Sequence, residues 1–191
     1  MKTITKNITN VIEINKSTFI TKLIKITSVD SIKEVLDNIK TEYKDATHYC
    51  YAYIIDDNRK SSDDGEPGGT AGVPIMEVLL KNELNYILCV VIRYFGGIKL
   101  GSSGLIKTYR KSVVDALKKD ELIKLIDGYK IKIISDYSKQ KQIDFLLKDF
   151  KYTKSYNENI EYIADIDETY LEKLENQNIK ITILEKKKIE V

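Results

Sequence analysis

Ser62-Asp63-Asp64-Gly65-Glu66-Pro67-Gly68-Gly69-Thr70-Ala71-Gly72-Val73-Pro74 forms one glycine box, and Arg93-Tyr94-Phe95-Gly96-Gly97-Ile98-Lys99-Leu100-Gly101-Ser102-Ser103-Gly104 forms a second. Together they hold eight of the nine glycines and both prolines of the 191-residue chain. Glycine serves where backbone must take positive φ or come very close to a neighbour. Two such boxes in a glycine-poor chain predict two unusual backbone surfaces, side by side. Between them, Tyr86 to Ile92 is almost wholly apolar, as expected of a central strand covered on both faces. Pro74 is expected at the first position of a helix whose apolar side is Met76, Leu79 and Leu80. The second box leads into a helix from about Ser102 to Lys119, striped by Leu105, Tyr109, Val113, Ala116 and Leu117. Ser102 and Ser103 are its N-cap candidates.

Upstream, Val11 to Ile14 and Phe19 to Ile26 read as strands turning at Asn15-Lys16-Ser17. Thr27 or Ser28 is expected to cap a helix with Ile32, Val35, Leu36 and Ile39 on one face. His48 to Ile55 is a tyrosine-rich strand, and the polar stretch Asp56 to Lys60 reads as a hairpin or loop tip. The pattern changes near Leu125 to Gly128. Tyr129, Ile131 and Ile133 alternate with lysines, then a helix carries Ile143, Leu146, Leu147 and Phe150. Two strands follow, at 151–156 and 160–166, then a helix capped by Asp165 or Asp167 and a strand through Ile179, Ile181 and Ile183. That β-α-β-β-α-β order is ferredoxin-like. The expected organisation is a first domain over 1–125 and a second over 128–191.

Composition narrows the function classes. The chain has 31 basic and 29 acidic side chains, a net charge of +2, so bulk charge does not point to nucleic acid. Residues 1–125 hold 19 basic and 16 acidic side chains, an asymmetry too small to define a basic half. Cys50 and Cys89 sit in apolar runs and are expected as buried free thiols of a cytoplasmic protein. No CxxC or Cys/His cluster suggests structural zinc, and no run approaches the ~20 apolar residues of a membrane helix.

The second box places glycines and a helix N-terminus after a buried strand, an arrangement that suits anions. Lys99, Ser102 and Ser103 would add donors. Gly96 and Gly101 have P-loop spacing, but serines stand where a P-loop has its lysine. The other reading is a tight strand-to-helix turn that binds nothing. In the first box, Asp63, Asp64 and Glu66 form a carboxylate cluster of the kind that holds Mg²⁺ or Ca²⁺ or works as acid and base. Against that stands a solvated acidic turn held by Pro67 and the glycines, with no Ser-His pair or second histidine beside it. His48, the only histidine, reads as a structural residue more readily than as a base. Arg93 ends the apolar strand and needs a partner. An ion pair with Asp63, Asp64 or Glu66 is its simplest use.

At this point the chain resembles a known family. Asp63-Asp64-Gly65-Glu66-Pro67-x-Gly69-Thr70-Ala71-Gly72-x-Pro74 and Val91-x-Arg93-Tyr94-Phe95-Gly96-Gly97-Ile98-Lys99-Leu100-Gly101-x-x-Gly104-Leu105 closely resemble the signature of the YigZ/IMPACT family. Lys16-Ser17-x-Phe19-Ile20 and Ala46-Thr47-His48-x-Cys50-x-Ala52-Tyr53 look like it too. Ser103 stands where the family usually has glycine, Arg110 where glycine is frequent, and Thr18 where arginine is common. The resemblance implies an α+β protein. Its first domain would be of the ribosomal-protein S-five domain-two-like kind and its second ferredoxin-like, similar to the last two domains of elongation factor G. It also implies a role in translation regulation. The eukaryotic branch competes for the ribosome-associated activator of an initiation-factor kinase, and a nucleic-acid or ribosome-binding role is proposed for bacterial members.

The expected partner is therefore RNA, the ribosome or a translation-associated protein. A small-molecule ligand is a further option, and no cofactor, metal or membrane is expected. The alternative is a nucleotide- or phosphate-binding or metal-dependent enzyme built on the two boxes. The candidate cleft comprises His48, Asp63, Asp64, Gly65, Glu66, Gly69, Thr70, Arg93, Tyr94, Gly96, Gly97, Lys99, Gly101, Ser102, Gly104 and Arg110. Within it Arg93 is expected to pair with a first-box carboxylate, which leaves Lys99, Ser102 and Arg110 as ligand-facing donors.

Overall fold

The computed structural model describes residues 1–177 and 179–191. The chain divides into two compact units, Met1–Ile123 and Lys124–Val191. The first runs β1 (Lys2–Ile4), β2 (Ile8–Ile14), β3 (Ser17–Lys25), α1 (Ile32–Glu42), β4 (His48–Ile55), β5 (Asn58–Ser62), α2 (Gly72–Lys81), β6 (Ile87–Tyr94) and α3 (Gly101–Leu117). Its sheet has the order β2-β3-β6-β4-β5, and every neighbouring pair is antiparallel. The crevice rule for parallel, doubly wound sheets therefore does not apply to it.

β6 lies at the centre, and the first seven of its eight residues are buried. Ile87, Cys89 and Val91 join the core under α2 and α3. Leu88, Val90 and Ile92 join the core under α1. Helices on both faces explain why an antiparallel strand reads as a continuous apolar run. β2 and β3 are joined through Asn15 and Lys16, both at positive φ (48° and 64°), as a tight two-residue hairpin requires.

Several boundaries differ from the sequence expectation, each for a local reason. Of the two readings of 56–60 the hairpin holds, and its second arm, Asn58–Ser62, is an edge strand in register with β4, from Asn58 opposite Ile55 to Ser62 opposite Tyr51. Ser31, not Thr27 or Ser28, sits at the cap of α1, because the Ser28 hydroxyl instead accepts from the Asp30 N–H in a turn before the helix. α2 starts at Gly72, so Pro74 is its third residue rather than its first. The same shift rotates the buried face to Pro74, Ile75, Val78 and Leu79 and leaves Leu80 42% exposed.

The second unit takes up β7 (Leu122–Ser135), whose strand the chain enters before leaving the first unit. It continues through a 3-10 turn (Tyr137–Lys139) to α4 (Gln140–Leu147), β8 (Tyr152–Tyr156), β9 (Ile160–Asp167), α5 (Glu168–Glu175) and β10 (Ile181–Glu190). The strands are ordered β10-β7-β9-β8, all antiparallel. That order completes the ferredoxin-like pattern, so the chain is α+β as expected. Ile131, Ile133, Ile160, Tyr162, Ala164 and Ile166 meet Ile143, Leu147, Leu171 and Leu174 from the helices. Asp167 caps α5 by accepting from Tyr170 N–H at 2.8 Å. Gly128 is required by contact: a Cβ there would lie 2.5 Å from the Ile166 carbonyl oxygen.

Candidate functional site

The first box is a turn wrapped around its own carboxylates. Asp64 (φ 43°), Gly65 (φ 85°) and Gly69 (φ 76°) take left-handed backbone and fold the chain back. Asp63 Oδ2 accepts from Gly69 N–H at 2.8 Å, and its Oδ1 accepts from Ala71 N–H and Gly72 N–H at 3.0 and 2.8 Å. α2 has no side-chain cap of its own, so Asp63 caps it from outside. Burial pushes the Asp63 carboxyl upward, but the three backbone N–H groups outweigh it and hold the group below its usual range. Asp64 Oδ2 accepts from Tyr49 N–H at 2.6 Å, and the Asp64 carbonyl lies 2.8 Å from His48 Nδ1. Thr70 Oγ1 donates to the Pro67 carbonyl at 2.6 Å.

Glu66 is different. It is 7% exposed, and its Oε1 accepts from Arg93 Nη1 at 2.5 Å and from Tyr109 Oη at 2.8 Å. Arg93 is 5% exposed, with its other Nη 3.5 Å from Ser17 Oγ. Its guanidinium sits 5.3 Å from the Phe19 ring and 5.4 Å from the Phe95 ring, an aromatic sandwich. Arg93 Nε is buried and has no hydrogen-bond partner. His48 Nε2 stands 3.9 Å from Glu66 Oε2. Cys50 Sγ lies 2.9 Å from the Asp63 carbonyl and 3.3 Å from Tyr109 Oη. Burial pushes the Cys50 thiol up to about 12 and raises the Tyr109 phenol as well. Both therefore stay protonated at neutral pH, and neither is an activated nucleophile.

The second box is pinned from behind and open in front. Phe95 N–H donates to Thr47 Oγ1 at 3.0 Å, and Gly96 N–H to Ser17 Oγ at 3.1 Å. A Cβ at Gly96 would fall 1.8 Å from the Lys16 carbonyl oxygen, so only glycine lets the β2–β3 hairpin close onto this turn. Tyr94 Oη donates to the Lys44 carbonyl at 3.1 Å. Gly97 and Gly101 are at positive φ with nothing near a Cβ, whereas Gly104 packs on Leu100. Phe95 and Ile98 are 45% and 44% exposed, and Lys99 and Ser102 are exposed beside them.

The structure thus brings Glu66 and Arg93 of the two boxes together and pairs them. Ser102 and Ser103 lie inside the first turn of α3, after Leu100 at the cap, and do not cap it. Arg110 is not a free donor: its Nε and one Nη both donate to Glu77 Oε2 of α2. Sequence reasoning missed Tyr109 and Ser17 as members of the cluster. Tyr109 was visible as a helix-stripe residue, and a buried tyrosine hydroxyl needs a partner. Ser17 gave no signal beyond its place in a turn. Among the described residues no group of three or more His, Cys, Asp or Glu side chains could hold a metal ion.

The family model of the Impact N-terminal domain matches residues 15–117, a span that holds both boxes and the whole Glu66 cluster. The chain belongs to the IMPACT family. It is 40% identical over 177 residues to the IMPACT family member YvyE of Bacillus subtilis, covering 86% of this chain and 76% of YvyE. It is 42% identical over 116 residues to YigZ of Escherichia coli, covering 58% and 57% of the two chains. A crystal structure of an hypothetical protein aligns with a TM-score of 0.65 at 30% identity, over 96% of this chain and 97% of its own. The two-domain translational regulator Yih1 aligns at 27% identity over 60% of this chain and 46% of its own, with a TM-score of 0.35. A superposition at that level says nothing about either fold. Within the family, the departures at Ser103 and Arg110 find local accounts. Ser103 occupies an exposed position in the first turn of α3, and Arg110 ties α3 to α2.

Proposed function

We propose that this IMPACT-family chain is a translation-associated binding protein of the cytoplasm that contacts RNA or the ribosome through its second glycine box. One observation carries the reading. The Asp63, Asp64, Glu66, Arg93 and Tyr109 side chains each have an internal partner, while the neighbouring turn presents Phe95, Ile98, Lys99 and Ser102 outward on a backbone pinned by Thr47 and Ser17. A pinned surface of this kind suits recognition of a partner. The link to translation rests on the family resemblance.

The geometry disfavours the enzyme reading. Both Asp63 oxygens, one Asp64 oxygen and one Glu66 oxygen already accept hydrogen bonds, and those bonds hold the turn. A metal would compete with these donors for the same carboxylates.

Sedimentation with ribosomes and filter binding to RNA at two salt concentrations test the proposal. Binding through phosphates falls with salt. Lys99→Ala is expected to weaken association and leave the thermal midpoint unchanged. Association with neither ribosomes nor RNA would end the reading. Capture of a translation protein by a chain that ignores RNA would move it to the protein-partner form. A thermal shift with nucleotide and Mg²⁺ would instead favour the enzyme form.

A further inference from the structure

The sheet of the first unit has a second surface that the glycine boxes do not use. α1 covers the face bearing Tyr49, Tyr51, Tyr53 and Ile55, but only in part. Between α1 and the β4–β5 hairpin a groove of 460 Å³ remains, lined on one wall by Ile32 and Leu36 and on the other by Tyr51 and Tyr53. Lys33, Lys40 and Lys60 stand around it. We propose that this groove binds single-stranded RNA. The proposal rests on the RNA-binding reading above and gives it a second contact surface.

The argument comes from how the strands place these side chains. Residues two apart on a strand share a face about 6.6 Å apart. Tyr49, Tyr51 and Tyr53 thus form a row of rings along β4. Register sets Lys60 of β5 directly opposite Tyr53, and Ser62 opposite Tyr51. From the helix side, Lys40 Nζ lies 5.6 Å from the centre of the Tyr49 ring. Tyr53 is only 8% exposed and forms the floor, Tyr49 lies beyond the lining under Lys40, and the half-buried Tyr51 is the ring that opens among Lys33, Lys40 and Lys60. Among the described residues neither Lys33 nor Lys60 has a carboxylate partner, although ion pairs are frequent elsewhere on this chain.

The facing acids are Asp37 and Asp64, and Asp64 already accepts the Tyr49 N–H. Lysines alone would suit any polyanion. Lysines around an open tyrosine ring suit a polyanion that also offers planar faces, which is a nucleic acid with unstacked bases. A duplex keeps its bases stacked on one another and offers the rings nothing. An acidic peptide satisfies the lysines and leaves the tyrosine faces unused.

The test uses the full chain, a fluorescent single-stranded oligouridylate, the same length of RNA as a hairpin duplex, and polyglutamate as competitor. Anisotropy is expected to show binding of the oligouridylate in preference to the duplex. Lys33→Ala with Lys60→Ala should weaken it by about tenfold or more. The same pair should reduce the log–log salt slope by about 1.4, since each single-strand phosphate contact contributes about 0.7. Tyr51→Leu should weaken binding about tenfold by loss of stacking, and Tyr51→Phe should retain it. Lys33→Arg with Lys60→Arg keeps the charges and should bind normally, which separates charge from any fold defect.

Full binding by the double alanine variant overturns the groove. If ribosome sedimentation persists in that variant, the broader reading survives the loss. Equal displacement by polyglutamate together with an unaffected Tyr51→Leu also overturns it, in favour of an acidic peptide. A wild-type chain that binds neither ribosomes nor RNA overturns both proposals.

Discussion

The first glycine box ties its carboxylates into the protein, whereas the second turns Phe95, Ile98 and Lys99 outward. Asp63, Asp64 and Glu66 all end in contacts to the protein: a helix start, a strand N–H and a buried arginine. Phe95, Ile98 and Lys99 end in solvent. The two boxes have four glycines each, and both contain left-handed ones. Glycine content therefore marks where the backbone is unusual, and the neighbours decide whether that serves the fold or a partner. The first box contributes stability, and the second contributes a surface. Substitutions can break or sharpen that contrast.

The largest effect is expected at Glu66. Glu66→Ala strands the Arg93 guanidinium in a site where Arg93 is 5% exposed, and breaking a buried pair in this way costs about 3–5 kcal/mol. Urea unfolding reads it directly. A loss below about 1 kcal/mol would mean that Arg93 reaches solvent easily.

Next is the close approach behind the second box. Gly96→Ala puts a Cβ 1.8 Å from the Lys16 oxygen and should cost about 3 kcal/mol by overpacking. Gly97→Ala, with open space but φ 84°, should cost only about 1–2 kcal/mol. If the two variants were equally stable, the hairpin would not be seated on this turn.

Asp63→Ala should cost about 2 kcal/mol at pH 7, as loss of an external helix cap with charged hydrogen bonds. The sign with pH follows from the lowered carboxyl. Its stabilisation is complete above the unfolded value, about 3.9, and is lost as pH falls through the lower folded value. The gap between wild type and variant, followed by urea unfolding, should therefore close in acid. A gap that widens in acid would contradict the assignment.

The smallest expected change in stability separates Arg110 from Lys99. Arg110→Ala removes an exposed ion pair to Glu77 and should cost about 0.5 kcal/mol with no change in RNA or ribosome binding. Lys99→Ala should cost less and weaken binding. Filter binding on both variants distinguishes them, and a reversed result would relocate the contact surface to the α2–α3 face.

The sequence carried much of this fold in its apolar periods. β4 and the centre of β6 were legible because covered strands need apolar residues on both pleat faces. β5 was not, since an exposed edge strand such as Asn58–Ser62 carries no hydrophobic period. The start of α2 was misjudged from Pro74. What sets it is the Asp63 carboxylate together with Gly72, where a Cβ would lie 2.8 Å from the Ser62 backbone. Neither contact has a local sequence signal. The need of Arg93 for a carboxylate could be read from its place at the end of an apolar strand. Which carboxylate could not, because the choice depends on Asp63 and Asp64 being claimed first by backbone N–H groups. Arg110 looked free because its partner Glu77 lies on another helix.

The Glu66 cluster gathers Ser17, His48, Glu66, Arg93 and Tyr109 from five separate stretches of chain. Each contact requires a long loop to close before any attraction is gained. Such a cluster is expected to assemble late, after the hairpins and helices that carry its members. Interactions absent from the transition state slow unfolding and leave the folding rate nearly untouched. Glu66→Ala is therefore expected to shorten the lifetime of the native molecule, read as a faster unfolding arm in urea, and to leave its rate of formation nearly unchanged.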